Sequence, residues 1–166
     1  MHRARLIVIG TLVSMTAFAA SPAFAKAGTA DLAVASRGFP QVGSSVVSAT
    51  GAGETIYLPR VVRWGAASFS VTFRNLSDHP VQLRIVGRRV SHSKYFRYEL
   101  RRDGRSEMIT SAITGGGYIT GRLAPGASGR IYVSVFMHGG SASGFVKAFP
   151  VGGGSADAVR VRIGNP

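Results

Sequence analysis

"ASFSVTFRNLSDHPVQLRIVG", residues 67–87, carries the pattern that decides the fold. Phe69, Val71 and Phe73 recur at every second position, with Ser70, Thr72 and Arg74 beside them. Past the segment 75–80 the alternation resumes, with Val81, Leu83 and Ile85 set against Gln82 and Arg84. Successive side chains of a strand point to opposite faces, so a period of two describes strands with one face in a core and one in water. The intervening "NLSDHP" is built of residues that hydrogen-bond locally or preset a turn. The stretch therefore predicts strand, turn, strand.

The same period extends outward from it. In "FRYELR" (96–101) Phe96, Tyr98 and Leu100 alternate with Arg97, Glu99 and Arg101, and in "DAVRVRI" (157–163) Val159, Val161 and Ile163 alternate with Arg160 and Arg162. "RIYVSVFM" (130–137) has apolar side chains on both faces and reads as a central or doubly covered strand. "DLAVA" (31–35) reads as an edge strand, and "ETIYLPRVVRW" (54–64) as one or two strands broken at Pro59, with Trp64 in a packing role. "RDGRS" (102–106) and "APGAS" (124–128) are turns, and "HGGSASG" (138–144) and "GGGSA" (152–156) are flexible connections. "GGGYITGRLAPG" (115–126) reads as a loop, a short strand over 118–123 and a Pro-Gly corner. It has neither the Gly-x-Gly-x-x-Gly spacing nor the Gly-Lys-Ser/Thr of a nucleotide loop. No amphipathic helix is expected. The predicted class is all-β: a two-sheet antiparallel sandwich of about seven to nine strands with Greek-key-like connections.

The first residues read as a leader. Arg3 and Arg5 make a positive start, residues 6–20 are uncharged and largely apolar, and Ala23-Phe24-Ala25 has the small-x-small form of a cleavage site. The apolar run is shorter than the about 20 residues a spanning helix needs. The expectation is a general secretory signal peptide over 1–25, cleaved after Ala25, a short tail over 26–29, and one domain over 30–164. That implies a secreted or periplasmic protein with no transmembrane segment after cleavage. With no cysteine in the chain, its stability must rest on an ordinary core.

Removing Arg3 and Arg5 with the leader takes the formal net charge from +13 to +11. Such a field attracts anionic polymers, although a plain solvated basic surface has the same composition. The cations are densest between Arg84 and Arg105. Arg88, Arg89, Lys94, Arg97, Arg101, Arg102 and Arg105 are the candidate anion-binding residues, interleaved with Tyr95, Phe96 and Tyr98. Alternation places Phe96 and Tyr98 in the core and the arginines on an outward face, with Glu99 as a surface ion-pair partner.

Little else points to chemistry. The seven acids (Asp31, Glu54, Asp78, Glu99, Asp103, Glu107 and Asp157) are scattered, mostly in turns or beside arginine. His79, His92 and His138 show no ligand spacing, and no serine lies in a Gly-x-Ser-x-Gly elbow. The expectation is no enzyme, no cofactor and no metal site.

The order of "DL" (31–32), "TGAGET" (50–55), residues 67–87, "YFRYELRRDG" (95–104), "ITSAITGGGYITGRLAPGASGRIYVSV" (109–135) and "DAVRVRI" resembles the immunoglobulin-like and fibronectin-like β-sandwich modules of bacterial secreted proteins. These are related to cell-adhesion domains and are often found in tandem. The resemblance covers almost all of the chain after the leader, and it implies an extracellular or periplasmic binding or structural module with no catalytic residues to carry over. Two functions are open at this point. One is a module that engages an anionic surface polymer through its basic face. The other is a structural or adhesive subunit that assembles by pairing strand edges with itself or another surface protein.

Overall fold

The computed structural model describes residues 27–44, 46–59, 65–89, 95–102, 105–137 and 140–164. The expected leader, Trp64, Lys94, His92 and His138 lie outside the described residues. Among those described, the chain forms β1 (Gly28–Ala35), β2 (Thr55–Leu58), β3 (Gly65–Asn75), β4 (Leu83–Arg89), β5 (Tyr95–Arg102), β6 (Arg105–Met108), α1 (Thr110–Gly115), β7 (Tyr118–Ile119), β8 (Ser128–Met137), β9 (Ala142–Pro150), β10 (Gly154–Ser155) and β11 (Asp157–Ile163). They build two sheets, a six-stranded one in the order β10-β1-β3-β8-β5-β6 and a five-stranded one in the order β2-β11-β9-β4-β7.

The alternating strands fall where the sequence puts them. Phe69, Val71 and Phe73 of β3 and Phe96 and Tyr98 of β5 are buried, and so are Val159, Val161 and Ile163 of β11. The β3 and β5 side chains come from the six-stranded sheet and those of β11, with Leu83 and Ile85 of β4, from the five-stranded one, and together they form one continuous core. Its energetic weight comes from apolar area removed from water.

Three features differ from expectation. First, the sheets are mixed rather than wholly antiparallel. β1 runs parallel to β10 (Gly28↔Gly154, Thr29↔Ser155), and β2 runs parallel to β11 (Thr55↔Arg160 through Leu58↔Ile163). A period of two fixes which face a residue takes but carries no information on strand direction. Both parallel pairings join an N-terminal strand to a C-terminal one, far beyond the reach of any hairpin. Second, β9 is a nine-residue strand in the middle of the five-stranded sheet, between β11 and β4. Its buried positions are Ala142, Gly144, Val146, Ala148 and Pro150, whereas Phe145 and Phe149 face outward. The hydropathy contrast is thus inverted, which hides the strand. Third, residues 110–115 form a short helix of about a turn and a half, where no helix is expected from the sequence. Ile113 of α1 is fully buried, and Thr110 Oγ1 accepts the Tyr98 backbone N–H at 2.9 Å.

Two glycines make room for rings. A Cβ on Gly87 of β4 would stand 2.5 Å from the Tyr98 hydroxyl and 2.7 Å from Ile113, so Tyr98 reaches across the sandwich onto bare backbone. Gly129 of β8 stands opposite Phe73, whose ring occupies the space a side chain there would need. The "NLSDHP" turn is held from within by Asn75. Its Nδ2 donates to the carbonyls of His79 (2.8 Å) and Leu123 (2.9 Å), and its Oδ1 accepts the Ser77 N–H (2.8 Å).

Candidate anion-binding site

The sequence-dense cations between 84 and 105 do not form one surface. Arg88 and Arg89 lie on β4 of the five-stranded sheet, whereas Arg97, Arg101 and Arg102 lie on β5 and Arg105 on β6 of the six-stranded sheet. β4 belongs to one sheet and β5 to the other, so linear neighbours end up in different sheets.

On the six-stranded sheet the arginine charge is partly neutralised. Arg97 Nη2 lies 3.4 Å from Glu99 Oε1 and Arg101 Nη2 lies 3.5 Å from Glu99 Oε2. Ser106 donates to the same carboxylate at 2.6 Å. The Ser106 hydroxyl, followed by the two guanidinium groups, holds the Glu99 pKa below the usual carboxylate range, so it is ionised at neutral pH. Arg101 also lies over the Tyr132 ring, 4.4 Å from its centroid. Beside this group is an open hollow of about 380 Å³ with Ser68, Ser70 and Ser134 among its lining and Arg37 and Arg101 at its sides. The strands explain the hollow, since the register Ser68↔Ser134 sets short side chains on adjacent strands of one face, with Ser70 beside them opposite Tyr132.

The outer face of the five-stranded sheet is different. Its outward positions are Thr55 and Tyr57 on β2, Arg160 and Arg162 on β11, Ser143, Phe145, Lys147 and Phe149 on β9, Arg84 and Val86 on β4, and Ile119 on β7. No acid stands among them. The registers also pair cations with rings: Arg162 stands opposite Tyr57, Arg160 opposite Phe145, and Arg84 opposite Phe149. Arg162 lies 5.9 Å from the Tyr57 ring centroid, within the range of a cation–π contact. A hollow of about 200 Å³ opens between β9 and β11, lined by Ser143, Phe145, Arg160 and Arg162. Gly117 (φ 107°) lets the loop after α1 lie against the aliphatic stem of Arg84, where a Cβ would come within 2.6 Å of Cγ. A glycine from the stretch at 115–126 therefore positions a cation. Arg160 and Arg162 are legible in the alternation of "DAVRVRI", but the aromatic partner of Arg160, Phe145 on β9, is not, because that strand is hidden.

A third cluster lies at the seam between the sheets. The outer edge of β1 is closed piecewise, by β10 at Gly28–Thr29, by Val42 against Val34, and by a carboxylate at Leu32. Asp157 Oδ2 accepts the Leu32 N–H, and Oδ1 accepts those of Ser48 (2.8 Å) and Ala158 (2.9 Å). Asp157 thus stands in for a strand partner and ties the sheets together. Burial raises its pKa against the lowering by these three donors. Next to it Glu54 is 1% exposed, and neither carboxylate oxygen has a hydrogen-bond partner among the described residues. Burial, then the charges of Asp157 and Asp31, push its pKa up to about 7. Among the described residues no group of three or more His, Cys, Asp or Glu is placed to hold a metal ion, and no helix is long and apolar enough to cross a membrane.

No protein-family model matches the chain, and no curated protein does. Solved structures similar to it include the ASH/PapD-like domain 7 of human CEP192, at 10% identity over 98% of both chains with a TM-score of 0.42. The N-terminal domain of PorA matches at 11% identity over 80% of this chain and 95% of that one, with a TM-score of 0.39. The CooA pilin subunit from enterotoxigenic Escherichia coli matches at 7% identity over 82% of this chain and 99% of that one, with a TM-score of 0.36. With two sheets packed on one core, the chain is a β-sandwich module.

Proposed function

We propose that the chain is an exported, non-enzymatic binding module of the immunoglobulin-like, adhesion-related kind. It engages an anionic polymer through the outer face of its five-stranded sheet. The observation that carries this is the acid-free composition of that face, with Arg84, Lys147, Arg160 and Arg162 among its outward side chains. The leader-like residues 1–25 support export. The β5 arginines are weaker candidates because Glu99 already holds Arg97 and Arg101.

Retention on heparin resin tests it. Four phosphate- or sulfate-type contacts give a log–log salt slope of about −3 to −4. Arg160→Glu with Arg162→Glu should abolish retention at low salt, while Arg97→Glu with Arg101→Glu should reduce it less. Retention indifferent to salt, or indifferent to the β11 pair, would overturn the assignment. Assembly by strand addition is the second reading. It has short templates to work with, since the outermost strands β10, β6, β2 and β7 have 2, 4, 4 and 2 residues.

A further inference from the structure

The basic face carries more than charge. We infer that its polymer is an acidic polysaccharide bound in extended form along a diagonal of the sheet. This rests on the polyanion-binding role proposed above and narrows the class of polymer.

Two pieces of geometry support it. The first is a track of cations. Arg162 and Arg160 are two residues apart on β11. Lys147 stands opposite Ala158, one step further down on β9, and Arg84 stands opposite Phe149, one step further again on β4. Strands lie about 4.8 Å apart and alternate residues about 6.7 Å apart, so these four backbone positions step by about 7 to 8 Å. The whole track covers about 22 Å, which suits a linear chain with charges at intervals and exceeds the reach of a small anion.

The second is the rings. Three of the four cations have an aromatic directly across the ladder: Tyr57 for Arg162, Phe145 for Arg160 and Phe149 for Arg84. Tyr57 is 48% exposed, and Phe145 and Phe149 are half-buried. A polyphosphate or a lipid headgroup has nothing to lay on an aromatic surface and would use the cations alone. A chain of sugar rings bearing carboxylate or sulfate would use both. The hollow of about 200 Å³ between Phe145 and Arg162 is below the size of a drug-like pocket and suits a single ring. Nucleic acid fits the track but not the polar inventory. The outward positions of β2, β4, β7, β9 and β11 hold no Asn, Gln, Asp or Glu to meet base edges. The leader expected over residues 1–25 would also take the chain out of the cytoplasm, away from most nucleic acid.

Calorimetric titration of the chain lacking residues 1–25 with three probes at one low salt concentration is the test: an oligogalacturonate, inorganic polyphosphate of similar charge, and a dT oligonucleotide. The ring variant is Tyr57→Ala with Phe145→Leu, the second change keeping apolar volume while removing the ring. Tyr57→Ala alone serves if the pair lowers the melting temperature. The expected result is oligogalacturonate binding weakened about fivefold or more by the ring variants, with polyphosphate binding unchanged. Equal effects on both probes, or none on either, would overturn the polysaccharide inference and leave polyanion binding standing. Tighter, ring-dependent binding of the oligonucleotide would overturn it in favour of nucleic acid. No binding of any probe would overturn both.

Discussion

Glu54 should make this protein less stable as pH rises, the reverse of what most carboxylates do. Its side chain is 1% exposed and has no donor for either oxygen among the described residues. Asp157 and Asp31 lie close enough to oppose its ionisation, and Arg160, on the adjoining strand, turns its Nε to the Thr50 carbonyl at 2.9 Å instead. The folded pKa is about 7 against an ordinary value of 4.5. A raised acid keeps its proton in the native state over a range where the unfolded chain has lost it. The Glu54 contribution to stability is therefore greatest below pH 4.5, falls as pH climbs through the interval, and levels off above about 7. At about 1.4 kcal/mol per pH unit the full interval amounts to about 3 kcal/mol, a large share of a small domain's stability. Asp157, also raised, adds to the fall with the same sign. Urea unfolding of the wild type and Glu54→Gln, at fixed ionic strength between pH 5 and pH 8.5, isolates Glu54 as the difference between two slopes. The wild type should lose more stability than the variant over that range, by about 2 to 3 kcal/mol. Parallel slopes would show that Glu54 titrates normally, and the burial argument would fail.

Gly87→Ala should cost about 1–3 kcal/mol in a melting experiment, because the new Cβ meets the Tyr98 hydroxyl at 2.5 Å. Adding Tyr98→Phe should recover part of the loss, and a double variant no better than the single would refute that contact as the cause. Asn75→Ala should cost about 1–3 kcal/mol in urea unfolding, since it removes the amide that donates to the half-buried His79 and Leu123 carbonyls and accepts the Ser77 N–H. A loss under about 1 kcal/mol would mean the turn closes without it. Asp157→Asn should lower stability by a comparable amount at pH 7, because one carboxylate serves three backbone donors and an amide offers a single oxygen.

What was legible in the sequence, and what was not, follows from one property of sheets. Period two reports the face of a residue when large apolar side chains mark the inward positions, as in β3, β5 and β11, and the last was bounded correctly to the residue. It fails where the interior needs small residues. β9 packs Ala142, Gly144 and Ala148 inward and leaves Phe145 and Phe149 outside, so its contrast runs backwards. Missing that strand also hides the proposed binding face, because the aromatic partners of Arg160 and Arg84 stand on it. Charge suffers the same limit. In a helix, residues close in sequence share a face, so a run of arginines marks a patch. In a sandwich, the nearest neighbours of an outward side chain lie on adjacent strands, often far away in sequence. Arg160 and Phe145 are such a pair, as are Arg162 and Tyr57, which are brought together only by the parallel edge strand. The densest stretch, 84–105, is instead divided between two sheets at its crossing, and Glu99 holds two of its charges. For a basic sandwich, therefore, the informative quantity is the imbalance of charge within a cross-strand row. The row from Thr55 through Arg160 and Phe145 to Arg88 carries two cations and no acid, whereas the row from Ala35 through Ser70, Tyr132 and Glu99 to Met108 carries an acid and no cation.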